Sequence, residues 1–585
     1  MSISALPARD RTTRNWTTLK GLATVWRRPP KMTVIGNPDR RIRWILLSFS
    51  IFFCAIVVRA VFLQAVNADE LSALADAQHV QQIELPARRG TIYDRFGNEL
   101  AVGQETKTIY ATPYLIDDPL AVSQTLAPIL QMDSNDLLAT LSDKDAGFVY
   151  VARKVEPEVA AAVENENIPG LGIMTEEKRV YPQGSLAAQV LGYAGTDNQG
   201  LAGMELEMND DLSGTGGRER VITDAGGKHI EMLSLEEGTR GADVWLTIDQ
   251  SLQFETEKIL TKTVKEWNAK SAMAIIMDPN TGEIYAMVNV PTADANEFNH
   301  LSDEARRNRA VTDTYEPGSV FKAFTATAGL EDGAIQPGQI LHLPVTLELG
   351  ERTIHDSYDR GPVDWDLETI LENSSNIGAV TVAMRDGAEN LEAWIHKLGF
   401  GSTTGIDFPG EAEGIVLPLD QWSGSTIGNV PIGQGISVTA IQMVAGYATI
   451  ANGGIAVTPR LVCRVGDQTL QSQPGERLIS ERTTSLLRKY LTTVVEGKGA
   501  PLAQVEGYTV AGKTGTAQKP LPDGSGYSNE NYIGSFIGFA PVSDPKVVIL
   551  VMVDEPHPRG TGAAVAAPAF QKIAQFTLQK MSIAP

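Results

Sequence analysis

The longest apolar stretch of the chain, residues 44–63 (WILLSFSIFFCAIVVRAVFL), has no polar face and a single charge, Arg59. Twenty residues at helical rise cross the hydrocarbon of a bilayer, so the run predicts one transmembrane helix with Arg59 snorkelling from its outer end. A cleaved signal peptide, with a site at Val66-Asn67-Ala68, is the alternative. It fits less well, because the basic segment before the run is too long for an n-region and the run too long for an h-region. Beyond it the pattern shortens. Strand-like runs at 106–111, 148–151 and 221–223, with two short helices, predict an irregular β-rich module. Residues 89–101 read as a strand, a turn at Arg95-Phe96-Gly97-Asn98 and a return strand. Residues 198–224, rich in glycine and charge, predict an extended loop with at most a short strand near its end.

The pattern changes at Glu237-Gly238-Thr239-Arg240-Gly241. A strand is predicted at 244–248, a helix at 252–267, and a hairpin at 272–277 and 283–288 across Pro279-Asn280-Thr281-Gly282. Helical periodicity fills the centre, at 322–330, 367–385, 391–398 and 440–451, and strands return at 508–511, 532–540 and 547–554. Strands at both ends with helices between them predict an α/β (α+β) domain in which a sheet is flanked by helices. The organisation is therefore a tail at 1–43, a membrane helix at 44–65, a non-catalytic module at 66–236 and a larger domain at 237–585.

Charge sharpens this picture at one end. Residues 1–43 hold ten Lys/Arg against Asp10 and Asp39, in a chain of 585 residues whose net charge is −22. A basic tail beside an apolar run marks the cytoplasmic side, which places the rest outside. No basic and aromatic stripe points to nucleic acid. Cys54 lies in the apolar run and Cys463 far beyond it, so no disulfide is expected. No metal-ligand spacing, P-loop or dinucleotide fingerprint appears. His355 and His557 could approach a site, but satisfied or solvent-facing side chains are the simpler reading.

The chemistry lies in three motifs: Ser319-Val320-Phe321-Lys322, Ser374-Ser375-Asn376 and Lys513-Thr514-Gly515-Thr516. Serine and lysine three apart on a helix share a face, which sets an amine beside a hydroxyl and activates serine without histidine. Alone, Ser319 would read as a helix N-cap and Lys322 as a solvated lysine, and K-T-G as a strand end or turn. The three together, in this order, make the Ser/Lys acyl-transfer constellation. Pro317-Gly318 breaks the chain so that a helix can start at Ser319, and Phe321, Phe324 and Leu330 predict that this helix is buried.

The flanks carry a resemblance. Arg307-Asn308-Arg309-Ala310, Tyr315-Glu316-Pro317-Gly318-Ser319 and the KTGTAQK segment from Lys513 closely resemble class B penicillin-binding proteins, most of all the septal (cell-division) transpeptidases. Independently, the segment from Arg89 to Ala101, Arg179-Val180-Tyr181-Pro182 and Gly200-Leu201-Ala202-Gly203-Met204-Glu205 resemble that family's non-catalytic domain, where such residues shape the domain rather than act chemically.

The resemblance implies a penicilloyl-serine transferase fold and a membrane-anchored peptidoglycan D,D-transpeptidase. It implies that Ser319 Oγ attacks the penultimate D-Ala carbonyl and that Lys322 takes its proton, with a pKa depressed by burial and by Lys513. Ser374 would relay the proton to the leaving D-Ala, and Asn376 would bind substrate backbone. Lys513, Thr514, Gly515 and Thr516 would hold the terminal carboxylate, and the N–H groups of Ser319 and Thr516 would form the oxyanion hole. Ser375 receives no role, and neither metal nor cofactor is required. The implied partners are stem peptides ending in D-Ala-D-Ala, β-lactams, a SEDS-family glycan polymerase and other division proteins, at the cytoplasmic membrane and its septum. A side-wall (elongation) transpeptidase and a non-catalytic division scaffold are the alternatives. A β-lactamase needs neither anchor nor second domain, a penicillin-sensing receptor needs a larger cytoplasmic domain, and a bifunctional enzyme needs a glycosyltransferase domain for which no room exists after the anchor.

Overall fold

The computed structural model describes residues 38–66, 80–85, 87–223, 229–350, 352–473, 475–521 and 526–585. They form two units, one before residue 80 and one running from Val80 to Pro585. In the first, α1 (Pro38–Val61) continues through a π turn at Phe62–Val66. The span Asp39–Gln64 is 26 residues long, and its most apolar 18-residue window has a mean hydropathy of 2.5, enough in length and composition to cross a membrane. Most of the predicted basic tail, residues 1–37, lies outside the described residues.

The second unit begins with two sheets. Strands β1 (Val80–Leu85), β6 (Gly217–Thr223) and β7 (His229–Glu236) form one sheet in the order β1-β6-β7. A second sheet is built on β2 (Ile92–Tyr93) and the 13-residue β3 (Glu99–Ala111), which pairs with β4 (Val149–Val155) and β5 (Leu171–Val180). Three helices, Pro119–Leu130, Ser134–Leu141 and Pro157–Asn165, cover it where two were expected. Strand β5 escapes prediction because two of its inward residues are charged. Glu176 and Arg179 are buried, yet each is ion-paired, to Arg153 and Glu205 respectively, so hydrophobic alternation does not mark the strand. The extended loop expected at 198–224 is also corrected. It contains short helices at Gly203–Glu207 and Asn209–Leu212 and the seven-residue β6. Met204, Glu205 and Leu212 are fully buried there, so the segment is drawn into the core despite its polar composition.

Strand β8 (Val244–Leu246) lies just past the predicted boundary but does not separate two sheets. It pairs parallel with β2 and antiparallel with β11 (Val462–Val465), which in turn pairs with β12 (Gln468–Thr469). One sheet, in the order β12-β11-β8-β2-β3-β4, thus takes strands from both parts of the chain. Trp245 stacks on Tyr93 at 4.9 Å, and the Arg464 guanidinium lies 3.2 Å from the Trp245 ring centroid.

The large sheet is wholly antiparallel, in the order β10-β9-β15-β14-β13, with β9 (Ser271–Met277), β10 (Ile284–Val290), β13 (Ala511–Pro520), β14 (Tyr527–Ala540) and β15 (Val547–Asp554). Its central strands alternate with period two, but both faces are apolar. Ile275, Ile537, Val548 and Leu550 face one core; Ala274, Ile276, Val551 and Val553 face another. The second core is closed by α2 (Gln250–Glu266) and α9 (Ala567–Lys580), through Leu252, Leu260, Phe570 and Ile573. The first is closed by α3 (Lys322–Glu331), α5 (Asn376–Asp386), α7 (Ala440–Ala451) and α8 (Glu481–Glu496), with α4 (Leu367–Glu372) and α6 (Ala388–Lys397) beside them. This is the helix–sheet–helix arrangement that the sequence pattern predicts.

Helix α3 sits at the centre of the first core, with Lys322 through Gly329 all buried. Phe321, Phe324, Phe400 and Tyr447 pack around it with ring centroids 4.9–5.4 Å apart. Truncating one such buried aromatic typically costs about 3–5 kcal/mol. The helix is therefore a rigid platform, and what precedes it is held with the same rigidity.

Candidate active site

Ser319 lies on a 3₁₀ turn, Gly318–Phe321, that feeds directly into α3 at Lys322. Gly318 adopts φ +60°, and its N–H bonds to Gly433 O at 2.9 Å. Gly433 itself has φ +78°, and a β-carbon there would meet Gly318 O at 2.2 Å. Only glycine permits that approach. Tyr447 donates its hydroxyl to Val320 O at 2.7 Å, and Thr325 donates to Pro431 O at 2.8 Å. The serine turn is thus clamped from both sides. Glu316 adds a third tie, accepting from Gly435 N–H at 2.9 Å and from the Tyr527 hydroxyl at 3.0 Å. Burial pushes the Glu316 carboxyl up.

The second motif corrects the prediction of one helix over 367–385. The chain breaks between α4 and α5, and Ser374 takes φ +53°. A left-handed non-glycine residue is strained by about 1–2 kcal/mol, so the surroundings must hold it. Its carbonyl turns toward Lys322, whose Nζ donates to Ser374 O at 2.5 Å, to Asn376 Oδ1 at 2.7 Å and to Ser374 Oγ at 3.3 Å. Asn376 is oriented by its other amide atom, Nδ2, which donates to His355 O at 2.9 Å. Ser375 is the N-cap of α5, with its hydroxyl accepting from Gly378 N–H at 2.9 Å and donating to buried Asp356 at 2.9 Å.

The third motif lies inside strand β13, on the sheet edge, and not at the end of a shorter strand at 508–511. Gly515 lets this edge press against the serine turn: a β-carbon there would stand 2.4 Å from Ser535 Oγ and 3.0 Å from Pro317 O. Thr516 accepts Gly562 N–H on its hydroxyl at 3.1 Å. Lys513 is fully buried, and among the described residues its Nζ reaches only Thr514 O, at 3.4 Å.

Electrostatically the site consists of two buried lysines with no carboxylate in ion-pair contact among the described residues. Burial holds the Lys322 ammonium well below the ordinary lysine range. The nearby Lys513 charge pushes the same way, and Asp356 opposes both. Burial alone pushes Lys513 down to about 7.

The structure therefore gathers Lys322, Ser374 and Asn376 into direct contact and packs the strand carrying Lys513, Thr514, Gly515 and Thr516 against the Ser319 turn. Ser319 Oγ makes no hydrogen bond among the described residues. His355 and His557 have exposed side chains. Sequence reasoning missed Asp356 and the work of Ser375. Ser375 lies at the middle position of its motif, to which no role attached, and Asp356 has no motif: it sits 18 residues before Ser374, and only the fold brings them together.

Comparison with known proteins adds an independent line. Residues 272–575 match the penicillin binding protein transpeptidase domain, and residues 84–246 match the penicillin-binding protein dimerisation domain. The chain is 33% identical over 574 residues to penicillin-binding protein PbpB of Mycolicibacterium smegmatis, covering 90% of this chain and 88% of that protein. It is 31% identical over 535 residues to peptidoglycan D,D-transpeptidase FtsI of Escherichia coli, covering 90% and 89%. Among solved structures, penicillin binding protein 3 of Mycobacterium tuberculosis complexed with aztreonam superposes with a TM-score of 0.68 at 30% identity, covering 86% of this chain and 98% of that one. With a domain match over more than half its length and full-length relatives above 30% identity, the chain belongs to the class B penicillin-binding proteins.

Proposed function

We propose that this protein is a membrane-anchored, serine-type peptidoglycan D,D-transpeptidase that cross-links stem peptides through an acyl-enzyme on Ser319 and is acylated by β-lactams. One observation carries the reading. Lys322 Nζ is buried, without a carboxylate partner, between two carbonyl oxygens, Ser374 O and Asn376 Oδ1. Once deprotonated, Lys322 keeps two N–H groups, which those two acceptors occupy; its third contact, with Ser374 Oγ at 3.3 Å, then reverses, and the lone pair is open to a serine proton. Lys322, one turn after Ser319, is then the general base.

In this reading Ser319 Oγ adds to the penultimate D-Ala carbonyl as Lys322 takes the proton. The N–H groups of Ser319 and Thr516 receive the oxyanion, and Ser374 passes the proton to the departing D-Ala nitrogen. The acyl group then moves to an amine of a neighbouring stem. Asn376 aligns the peptide, and Lys513, Thr514, Gly515 and Thr516 hold the terminal carboxylate. A Lys513 that titrates near 7 when empty regains its full charge once that carboxylate is bound, which makes its grip selective for anionic termini.

The division of labour along the chain follows: a cytoplasmic tail at 1–43, an anchor at 44–65, a pedestal at 66–236 and a transpeptidase at 237–585. Septal duty is favoured over side-wall duty by the flanking motifs. A SEDS-family polymerase would bind the anchor and pedestal, as the resemblance to septal transpeptidases implies. Replacing 44–63 with an unrelated apolar helix should preserve acylation and impair division; unimpaired division would refute anchor recognition.

The decisive experiment labels spheroplasts with a membrane-impermeant fluorescent penicillin. One stable adduct per chain is expected, mapping to Ser319, lost in Ser319→Ala and removed by external protease. Mapping to another serine, or rapid hydrolytic turnover of the drug, would overturn the reading.

A further inference from the structure

Within the second motif the Ser375 hydroxyl caps only Gly378 N–H, and the first two N–H groups of α5 find no acceptor there. Asp356 follows strand Arg352–His355, and its side chain is 2% exposed. Its Oδ1 accepts Asn376 N–H at 2.6 Å, Ile377 N–H at 3.1 Å and the Ser375 hydroxyl at 2.9 Å. These N–H groups are the first two of α5. The third free donor, Gly378 N–H, goes to the Ser375 hydroxyl that Asp356 itself holds. One carboxylate from a distant segment thus satisfies or organises the whole first turn of the helix, where its charge also suits the helix dipole. The adjacent carbonyl, His355 O, fixes the amide of Asn376. Asp356 is held in turn by Arg360, whose Nε donates to Oδ2 at 2.5 Å and whose Nη1 reaches Pro344 O at 3.0 Å.

We infer that Asp356 is a positioning residue for acylation: it imposes the break before α5 that turns Ser374 O and Asn376 Oδ1 onto Lys322. The inference rests on Lys322 being the base. Asp356 touches no reacting atom. It acts through the geometry of Ser374 and Asn376 and through its field at Lys322. The charged groups facing Lys322 are Lys513 on β13 and Asp356; Asp356 in turn faces the charged Arg360 and Lys322 and the neutral, titratable Tyr358 hydroxyl.

The test measures penicillin acylation against pH for the full chain. The rate rises as Lys322 sheds its proton, so the position of that acid limb reports the charge around it. Asp356→Asn keeps an acceptor for the two N–H groups but removes the charge. It should lower the rate about 10-fold and move the limb to lower pH, whereas Asp356→Ala, which loses both, should lower the rate about 100-fold. Arg360→Gln leaves the carboxylate without its cation, so the limb should move to higher pH. These opposite displacements separate positioning from a merely structural role, which would lower folded protein without moving either limb. Limbs that stay at the wild-type pH in folded variants overturn the assignment. Should the Asp356 variants fail to fold by circular dichroism, Arg360→Gln decides alone, and a limb that is unmoved or lower overturns it. A wild-type chain that forms no adduct overturns the acyl-transfer reading, and this assignment with it.

Discussion

Two buried clusters of cations are built in opposite ways. In the N-terminal module Arg89 and Arg179 converge on Glu205, with Nε to carboxylate distances of 2.6 Å each, and all three side chains are at most 3% exposed. Tyr181 and the backbone carbonyls of Gly90 and Glu205 absorb further hydrogen bonds. At the candidate site Lys322 and Lys513 are as deeply buried, yet among the described residues neither touches a carboxylate, and both have depressed pKa values. Arginine cannot discard its charge near neutral pH, so burying it demands a counter-ion and yields a fixed structural joint. Lysine can, so burying it without a counter-ion yields a base. The same desolvation that is neutralised in one region is left standing in the other, and the choice of cation decides which outcome is tolerable.

The contrast can be broken most sharply at Lys322. Lys322→Arg keeps a cation in the site but removes the lone pair, and acylation should fall by at least about 1,000-fold with the circular dichroism spectrum unchanged. Stopped-flow acylation near the wild-type rate would mean that another group is the base. In the other region Glu205→Gln leaves two buried guanidiniums without their carboxylate. It should cost about 3–5 kcal/mol of stability, read by denaturant unfolding, while the chains that remain folded acylate normally. Unaltered stability there would mean that the joint is not what holds the module.

Lys513→Arg sharpens the distinction between the two lysines. A fixed cation should serve, so acylation is expected to fall only about 10–100-fold through altered geometry, most for substrates with a free carboxylate. The wild-type KM for such substrates should rise above pH 7 as Lys513 loses its proton, and the arginine variant should show no such rise. An equal rise in both would place the titrating group elsewhere.

The smallest effect concerns the anionic counterpart of this contrast. Asp386 ends α5 beside Asp332 at the end of α3, and neither of its buried carboxyl oxygens has a donor. Burial, then the Asp332 charge, raise its pKa to about 6. The folded state therefore binds this proton more tightly than the unfolded chain. The resulting stability is present below pH 4 and is lost as pH rises through 6. Asp386→Asn should remove that loss and, allowing for solvent access, stabilise the protein by about 1–2 kcal/mol at pH 8 but not at pH 4. Equal effects at both would show that the carboxyl does not titrate in that window.

The apolar run at 44–63, the hairpin at 272–290, helix α7 and strand β15 are legible from sequence because each is built of nearly continuous apolar runs of helical or strand length, which α7 and β15 bury on all sides. The three motifs were legible because their chemistry tolerates few residue types. Strand β5 was not, since paired charges stand where alternation would call for apolar residues. The helix expected over 367–385 was read as continuous because its local pattern is helical throughout. What breaks it at Ser374 is Asp356, a carboxylate from another segment, together with an ammonium from α3. Likewise the sequence names Lys322 and Lys513 but cannot say that both are buried and unpaired. By itself the sequence determined which side chains are available and where regular helices and strands begin, because those depend on near neighbours. Only the tertiary structure decided where the chain is bent and which protons are loosely held, because strain and desolvation are set by whatever packs around a residue from far along the chain.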